Sequence, residues 1–203
     1  MVGSLGGGVG DLGCFTAESD QVNPDPDLIL TSLSALIDLP LSRSTRAGSM
    51  RCFQFGKLVV APPSVLPLLE TKPRGLVGEL AIHVQCPWRL DADKSIVTGL
   101  TDLWQPVLGS ETFKYNDWDW DRDGNLQDQQ MTDYFARRPE AKVVSVSLFD
   151  HGSFTLHLSG NVKLFVFVSG CASENWRIIR HDSAGQHFVV TGGMVESQTG
   201  DMA

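Results

Sequence analysis

The chain has 203 residues, 42% hydrophobic and 20% charged, which suits one soluble domain with a buried core. A net charge of −8 argues against binding a nucleic-acid backbone, which needs clustered Lys and Arg, and biases encounters toward basic partners. No apolar run approaches the roughly 18 residues of a membrane span, and residues 1–8 lack the basic and apolar regions of a secretory signal, so the expected compartment is the cytoplasm.

Residues 1–24 are rich in Gly, Ser and Asp, too poor in large apolar side chains to offset the entropy of ordering, and are expected to be a flexible tail. A helix should follow. Asp25 suits the N-cap, Pro26 the first turn, and Asp27 the positive helix end. Ile29, Leu33, Leu36 and Ile37 recur at helical spacing until Pro40, giving an amphipathic helix of about 12 to 14 residues. Residues 41–49, with Arg43 and Arg46, read as a polar connection. Residues 51–60 read as a strand or a hairpin turning at Gly56 and Lys57, and 61–73, with four prolines, as a loop.

Residues 79–90 alternate cleanly. Leu80, Ile82, Val84 and Cys86 should face the core, Ala81, His83 and Gln85 the other side, with Pro87 marking an edge or bulge. The chain should turn at residues 91–93 and return over 95–100. A second helix is expected over 126–138, with Leu126, Met131, Tyr134 and Phe135 on one side and Arg137 and Arg138 at its negative end. Residues 143–149, 153–158, 162–168, 176–179 and 187–191 are β-branched and aromatic runs separated by Gly, Asn, Asp and Ser, hence consecutive strands. The run 162–168 is apolar on both parities apart from Lys163, so it should be central and covered on both sides, partly by a helix. The fold expected is α+β: a largely antiparallel, twisted sheet of about seven or eight strands in meander hairpins with two packed helices. One domain should span 25–193, and 194–203 should be a second flexible tail.

The four cysteines, Cys14, Cys52, Cys86 and Cys171, are scattered and form no C-x-x-C pair. That argues against zinc and for small core thiols in a reducing compartment. The chemistry-bearing stretch is 117–125. Asp119, Asp121, Asp123 and Asn125, around Gly124, match the first half of a D-x-D-x-D-G calcium loop. Gln130 stands where a bidentate Glu would complete the shell, and no entering helix precedes it. The competing reading is a polar connection in which Asn125 caps the second helix and Asp128 sits in its first turn. Read at period two, Asp117, Asp119, Asp121 and Asp123 would share one face of an extended chain and Trp118 and Trp120 the other. That gives either a strand burying its two Trp or an acidic contact strip with aromatic anchors.

His83, His151, His157, His181 and His187 show no metal-ligand spacing. A dyad of Cys86 with His83 or His157 competes with Cys86 as a core thiol, no G-x-S-x-G elbow occurs, and the glycines of residues 6–10 lack the strand and Lys of a phosphate loop. Trp88-Arg89 and Trp176-Arg177 could stack, pair with a carboxylate or bind an anion, or place a Trp in the core and an Arg in solvent.

Residues 83–89 (His-Val-Gln-Cys-Pro-Trp-Arg), 154–160 (Phe-Thr-Leu-His-Leu-Ser-Gly) and 175–177 (Asn-Trp-Arg), together with Leu39-Pro40-Leu41 and Phe53-Gln54-Phe55-Gly56, resemble strand motifs of a family of uncharacterised bacterial proteins. The resemblance covers residues 28–192 and implies no catalytic residue. Small acidic α+β proteins of this type include immunity-type proteins, an analogy of type only. Three functions follow as expectations. The first is a non-enzymatic, immunity-type binding protein that takes a basic protein partner through Asp117, Trp118, Asp119, Trp120 and Asp121. The second is a Ca²⁺ module at Asp119, Asp121, Asp123 and Asn125. The third is an enzyme with a dispersed site around His83, His157 and Arg89. No nucleic-acid, membrane or other cofactor role is expected.

Overall fold

The computed structural model describes residues 25–61, 75–107, 109, 118–138, 140–181 and 186–199. Strand alternation decides its architecture. Helix α1 (Pro26–Ser34) is followed by β1 (Leu41–Ala47), β2 (Met50–Phe55), β3 (Val59–Val60), β4 (Leu76–Val77), β5 (Leu80–Val84), β6 (Trp88–Ala92) and β7 (Ser95–Gly99). Helix α2 (Leu126–Arg137) leads into β8 (Val143–Leu148), β9 (Phe154–Leu158), β10 (Val162–Val166), β11 (Glu174–Arg180), β12 (Gln186–Thr191) and β13 (Met194–Thr199). The result is α+β and antiparallel, but the described residues form three sheets: β1-β2-β5-β11-β12-β13, β7-β6-β10-β9-β8, and the small pair β3-β4.

The two large sheets press their inner faces together. Phe53, Phe55, Ile82, Val84, Trp176 and Ile178 of the six-stranded sheet share one core with Trp88, Leu90, Phe154, Leu156, Leu164 and Val166 of the five-stranded sheet. Phe53 meets Trp88 edge-on at 5.1 Å, and Phe154 meets Trp176 at 5.1 Å. Such aromatic pairs contribute about 0.5–1.5 kcal/mol beyond the area they bury. The sheets join at two corners. The chain passes from β5 to β6 across residues 85–87, where Pro87 has no N–H to offer a ladder. Elsewhere Asp38 N–H donates to Val143 O (2.9 Å) and Val143 N–H to Leu39 O (3.0 Å), drawing the start of β8 against the chain before β1.

Both helices begin as their caps require. The Asp25 carboxylate accepts from the N–H groups of Asp27 and Leu28, and Asn125 Oδ1 from that of Asp128. α1 stops after nine residues, and its chain then turns through Asp38 at φ 68°. Ile29, Leu33 and Leu36 are buried, while Ile37 falls on that turn and is exposed. α2 ends with Arg137 in its last turn and packs against β1 and β7.

Several expectations change. Residues 41–49, read as a connection, form most of a hairpin, with the polar side chains of β1 met by partners outside the core: Arg46 by Asp128 of α2, Ser42 by Gly56 O and Arg43 by Leu76 O. The strand read over 51–60 ends at Phe55; β3 pairs with β4, not with β2. At that junction a Cβ on Gly78 would sit 2.3 Å from Phe55 O, so no side chain fits. The loop proposed for 61–73 lies outside the described residues except for Ala61. The strand of 79–90 is divided between the two sheets, although Leu80, Ile82, Val84 and Cys86 all point inward as read. The stretch from Met194, assigned to a tail, pairs with β12 as β13. β10 is central, between β6 and β9, but only its inner face is covered. Lys163 is exposed, and Phe165 is half-buried beneath Arg89, whose guanidinium lies 4.7 Å from the ring. The helices pack elsewhere, α1 on β8 and α2 on β1 and β7.

Candidate functional site: an anchored tryptophan and aspartate surface

The Asp/Trp segment is a turn, not an extended strip. The N–H groups of Arg122 and Asp123 both donate to Asp119 O, at 3.1 and 2.8 Å. Short Asp side chains close it further, as they do where they can bond the local backbone. Asp119 Oδ1 accepts from Asp121 N–H (2.9 Å), and Asp123 Oδ2 from Asp119 N–H (2.8 Å). Trp118 Nε1–H donates to Gly124 O (3.0 Å), and Asn125 Nδ2 to Trp120 O (3.0 Å). The period-two face therefore does not form. Asp117 lies outside the described residues.

The turn is fastened to β1 and β2 by two arginines. Arg46 Nη1 donates to Asp121 (2.7 Å), its Nε to Asp128 (3.0 Å), and its guanidinium lies 4.9 Å from the centre of the Trp120 ring. Arg51 is 2% exposed. It gives Nε and Nη2 to Gln127 Oε1 (3.1 and 2.5 Å) and Nη2 to Asp128 (2.6 Å). Gln127 Nε2 in turn donates to Gly99 O at 2.9 Å, linking α2 to β7. Burial alone would raise the Asp128 pKa, but the hydrogen bond from Asn125 and the Arg51 and Arg46 guanidiniums outweigh it and hold that carboxyl below its ordinary value. Burial lowers the Arg51 pKa despite its bond to Asp128.

What this scaffold presents outward is aromatic and acidic. Trp104, at the end of a 3-10 turn (Leu100–Trp104), is 49% exposed and meets Trp120 edge-on at 5.0 Å. Trp118 and Trp120 are half-buried; Asp121, Arg122 and Asp123 are exposed. Sequence reasoning missed Trp104, Arg46 and Gln127. Gln127 was legible, since 127, 131 and 134 share one helical face and all three are buried.

A cation here would compete with bonds that the oxygens of the turn already make. Asp119 and Asp123 accept backbone N–H groups, Asp121 is paired with Arg46, and Asn125 is spent on its cap and on Trp120. Among the described residues, no three His, Cys, Asp or Glu side chains gather as a metal site requires.

The dispersed set does not assemble. His83 is on β5 of one sheet, while His157 and Arg89 are on β9 and β6 of the other. Arg89 pairs with Asp91 (2.8 and 3.0 Å), and His157 Nε2 shares a hydrogen bond with Ser147 Oγ (2.9 Å). Cys52 and Cys86 are free, buried thiols whose pKa values burial pushes up to about 11 and about 12, so neither is a ready nucleophile. Cys171 departs from the expectation of core thiols: it is exposed and disulfide-bonded. Among the described residues no helix is long and apolar enough to cross a membrane. The chain matches no family model, no curated protein and no solved structure.

Proposed function

We propose that this is a non-enzymatic binding protein that takes a basic protein partner through the surface formed by Trp104, Trp118, Trp120 and Asp121. The observation that carries the reading is Trp104, half exposed and packed edge-on against a Trp120 that Arg46 already holds. An exposed tryptophan offers a large contact area with few torsions to freeze, and a rigid setting lowers the ordering cost of binding. Asp121 and Asp123 at its rim favour a partner carrying Lys and Arg. An immunity-type role, neutralising a basic toxin, fits this chemistry. In a pull-down with quantified capture, Trp104→Ala should weaken capture of the partner at least about tenfold without changing the fold. Asp121→Asn should weaken it less and reduce its salt dependence. Capture unchanged by Trp104→Ala sinks the reading. Calcium binding at Asp119, Asp121, Asp123 and Asn125 is the competing proposal; a melting temperature that rises with millimolar Ca²⁺ would replace the first reading with it.

A further inference from the structure

The outward face of the six-stranded sheet carries a second polar site. Across β2, β5, β11 and β12, the row Phe53, Ile82, Ile178, Phe188 turns toward the core. The adjacent row, Cys52, His83, Arg177, Val189, must therefore lie on the opposite face, as must Gln54, Ala81, Ile179 and His187; there Cys52, Gln54, Ala81, Ile179 and Val189 are buried and His83, Arg177 and His187 are partly exposed. His83 is the direct cross-strand partner of Arg177, a spacing of about 5 Å between Cβ atoms. His181 follows β11 and donates Nδ1–H to Gly78 O at 2.7 Å. Among the described side chains Glu174 is the carboxylate that enters the group; it takes the Nε edge of Arg177, with Nε to Oε1 at 2.6 Å and Nη2 to Oε2.

The other edge of Arg177 has a consequence. Nη1 lies 3.2 Å from His187 Nδ1. A guanidinium can only donate, so Nδ1 accepts, and the proton of a neutral His187 is on Nε2. That N–H points away from Arg177 as a donor without a partner among the described residues. Two of the five guanidinium hydrogens, one on each terminal nitrogen, are also uncommitted there. We infer that His83, Arg177 and His187 form a binding site for a small oxyanion of sulfate or phosphate size, free or at the end of a larger ligand.

The electrostatics agree with the geometry. Burial, then Arg177 and His181, lower the His83 pKa to about 4, and the same causes lower that of His187. Beside Arg177, whose own charge is paired with Glu174, both imidazoles therefore resist taking a proton. A bound anion offsets that resistance, raises both imidazole pKa values and draws in protons, so binding must strengthen as pH falls. Cys52 and Gln54 beside the site carry no charge: burial keeps the Cys52 thiol protonated.

The test is a sulfate titration, because sulfate stays a dianion across the range. It is followed by calorimetry and by the imidazole Cε1–H resonances of His83 and His187. Binding should be at least about tenfold tighter at pH 5.5 than at pH 7.5, with both resonances moving. Arg177→Gln and His187→Ala should abolish it, and Glu174→Gln, which removes the competing carboxylate, should tighten it. A purely structural Arg177–Glu174 pair predicts no gain in Glu174→Gln. Phenyl phosphate titrated in parallel separates an open site, which takes the ester, from one that admits only the free ion. No sulfate binding at pH 5.5, equal binding at both pH values, or binding unchanged in Arg177→Gln would overturn the assignment.

Discussion

The Asp/Trp turn and the His83–Arg177 face carry opposite lessons about charge. The turn reads as the most acidic stretch of the chain, yet in the fold Arg46 answers Asp121 and Asp128, Arg51 answers Asp128, and Asp119 and Asp123 are spent on backbone N–H groups. The sheet face comes from strands that read as apolar. There a guanidinium and imidazoles from three strands and the end of β11 meet around one carboxylate. Formal charge along a sequence therefore says little about the local field, which is set by what tertiary packing brings within a few ångströms. The turn has Asp121 paired with Arg46 and its aromatics fixed in place, while Asp119 and Asp123 are bonded only to backbone N–H groups. On the sheet face Arg177 is paired with Glu174, and the neighbouring imidazoles are held neutral by burial and by that guanidinium.

This contrast can be broken most forcefully at Arg51. Arg51→Ala leaves the buried Gln127 carbonyl without its donor, while the partly exposed Asp128 keeps Arg46, and should cost about 1–3 kcal/mol in denaturant unfolding, while loosening Trp104 and Trp120. A loss under about 1 kcal/mol would mean the network does not anchor the turn. Acid should separate the two regions next. The His83 pKa is lowered in the folded state, so the unfolded chain takes the proton first. The stability of neutral His83 is intact above about pH 6.5 and is lost as pH falls toward about 4, by about 3 kcal/mol at most. Asp128 is depressed as well, and its contribution should persist until the pH drops below about 3.9, the ordinary carboxyl value. Unfolding midpoints between pH 7 and 4 should therefore fall in the wild type and flatten in His83→Gln; an unchanged slope in that variant would remove His83 as the cause. The smallest effect belongs to the cap. Asn125→Ala should cost about 1 kcal/mol in the same assay and selectively fray the start of α2, seen as faster amide exchange at Asp128.

What could be read from the sequence was whatever neighbouring residues decide among themselves. The Asp25 and Asn125 caps, the inward set Leu80, Ile82, Val84 and Cys86, and the strands β8 to β12 follow from local spacing, because a helix or strand presents a face at a fixed period. β1 was missed because its polar side chains show no apolar alternation and are satisfied mainly from afar; Arg46 is paired with Asp121 and Asp128 in distant parts of the chain. β13 was missed because its pairing depends on β12 supplying an open edge. The division of residues 79–90 between two sheets could not be seen either, since their alternation continues unbroken through Pro87.

For the sites, the same boundary holds. Composition alone singled out Trp118, Trp120 and their aspartates, but only the fold curled them into a turn and added Trp104 and Arg46. His83 and Arg177 are each unremarkable in sequence, and they become one site because β5 pairs with β11. The sequence by itself determined which elements form and which of their faces are apolar. Tertiary structure alone decided which charges meet, because Coulomb and hydrogen-bond energies fall off over distances that bear no relation to separation along the chain.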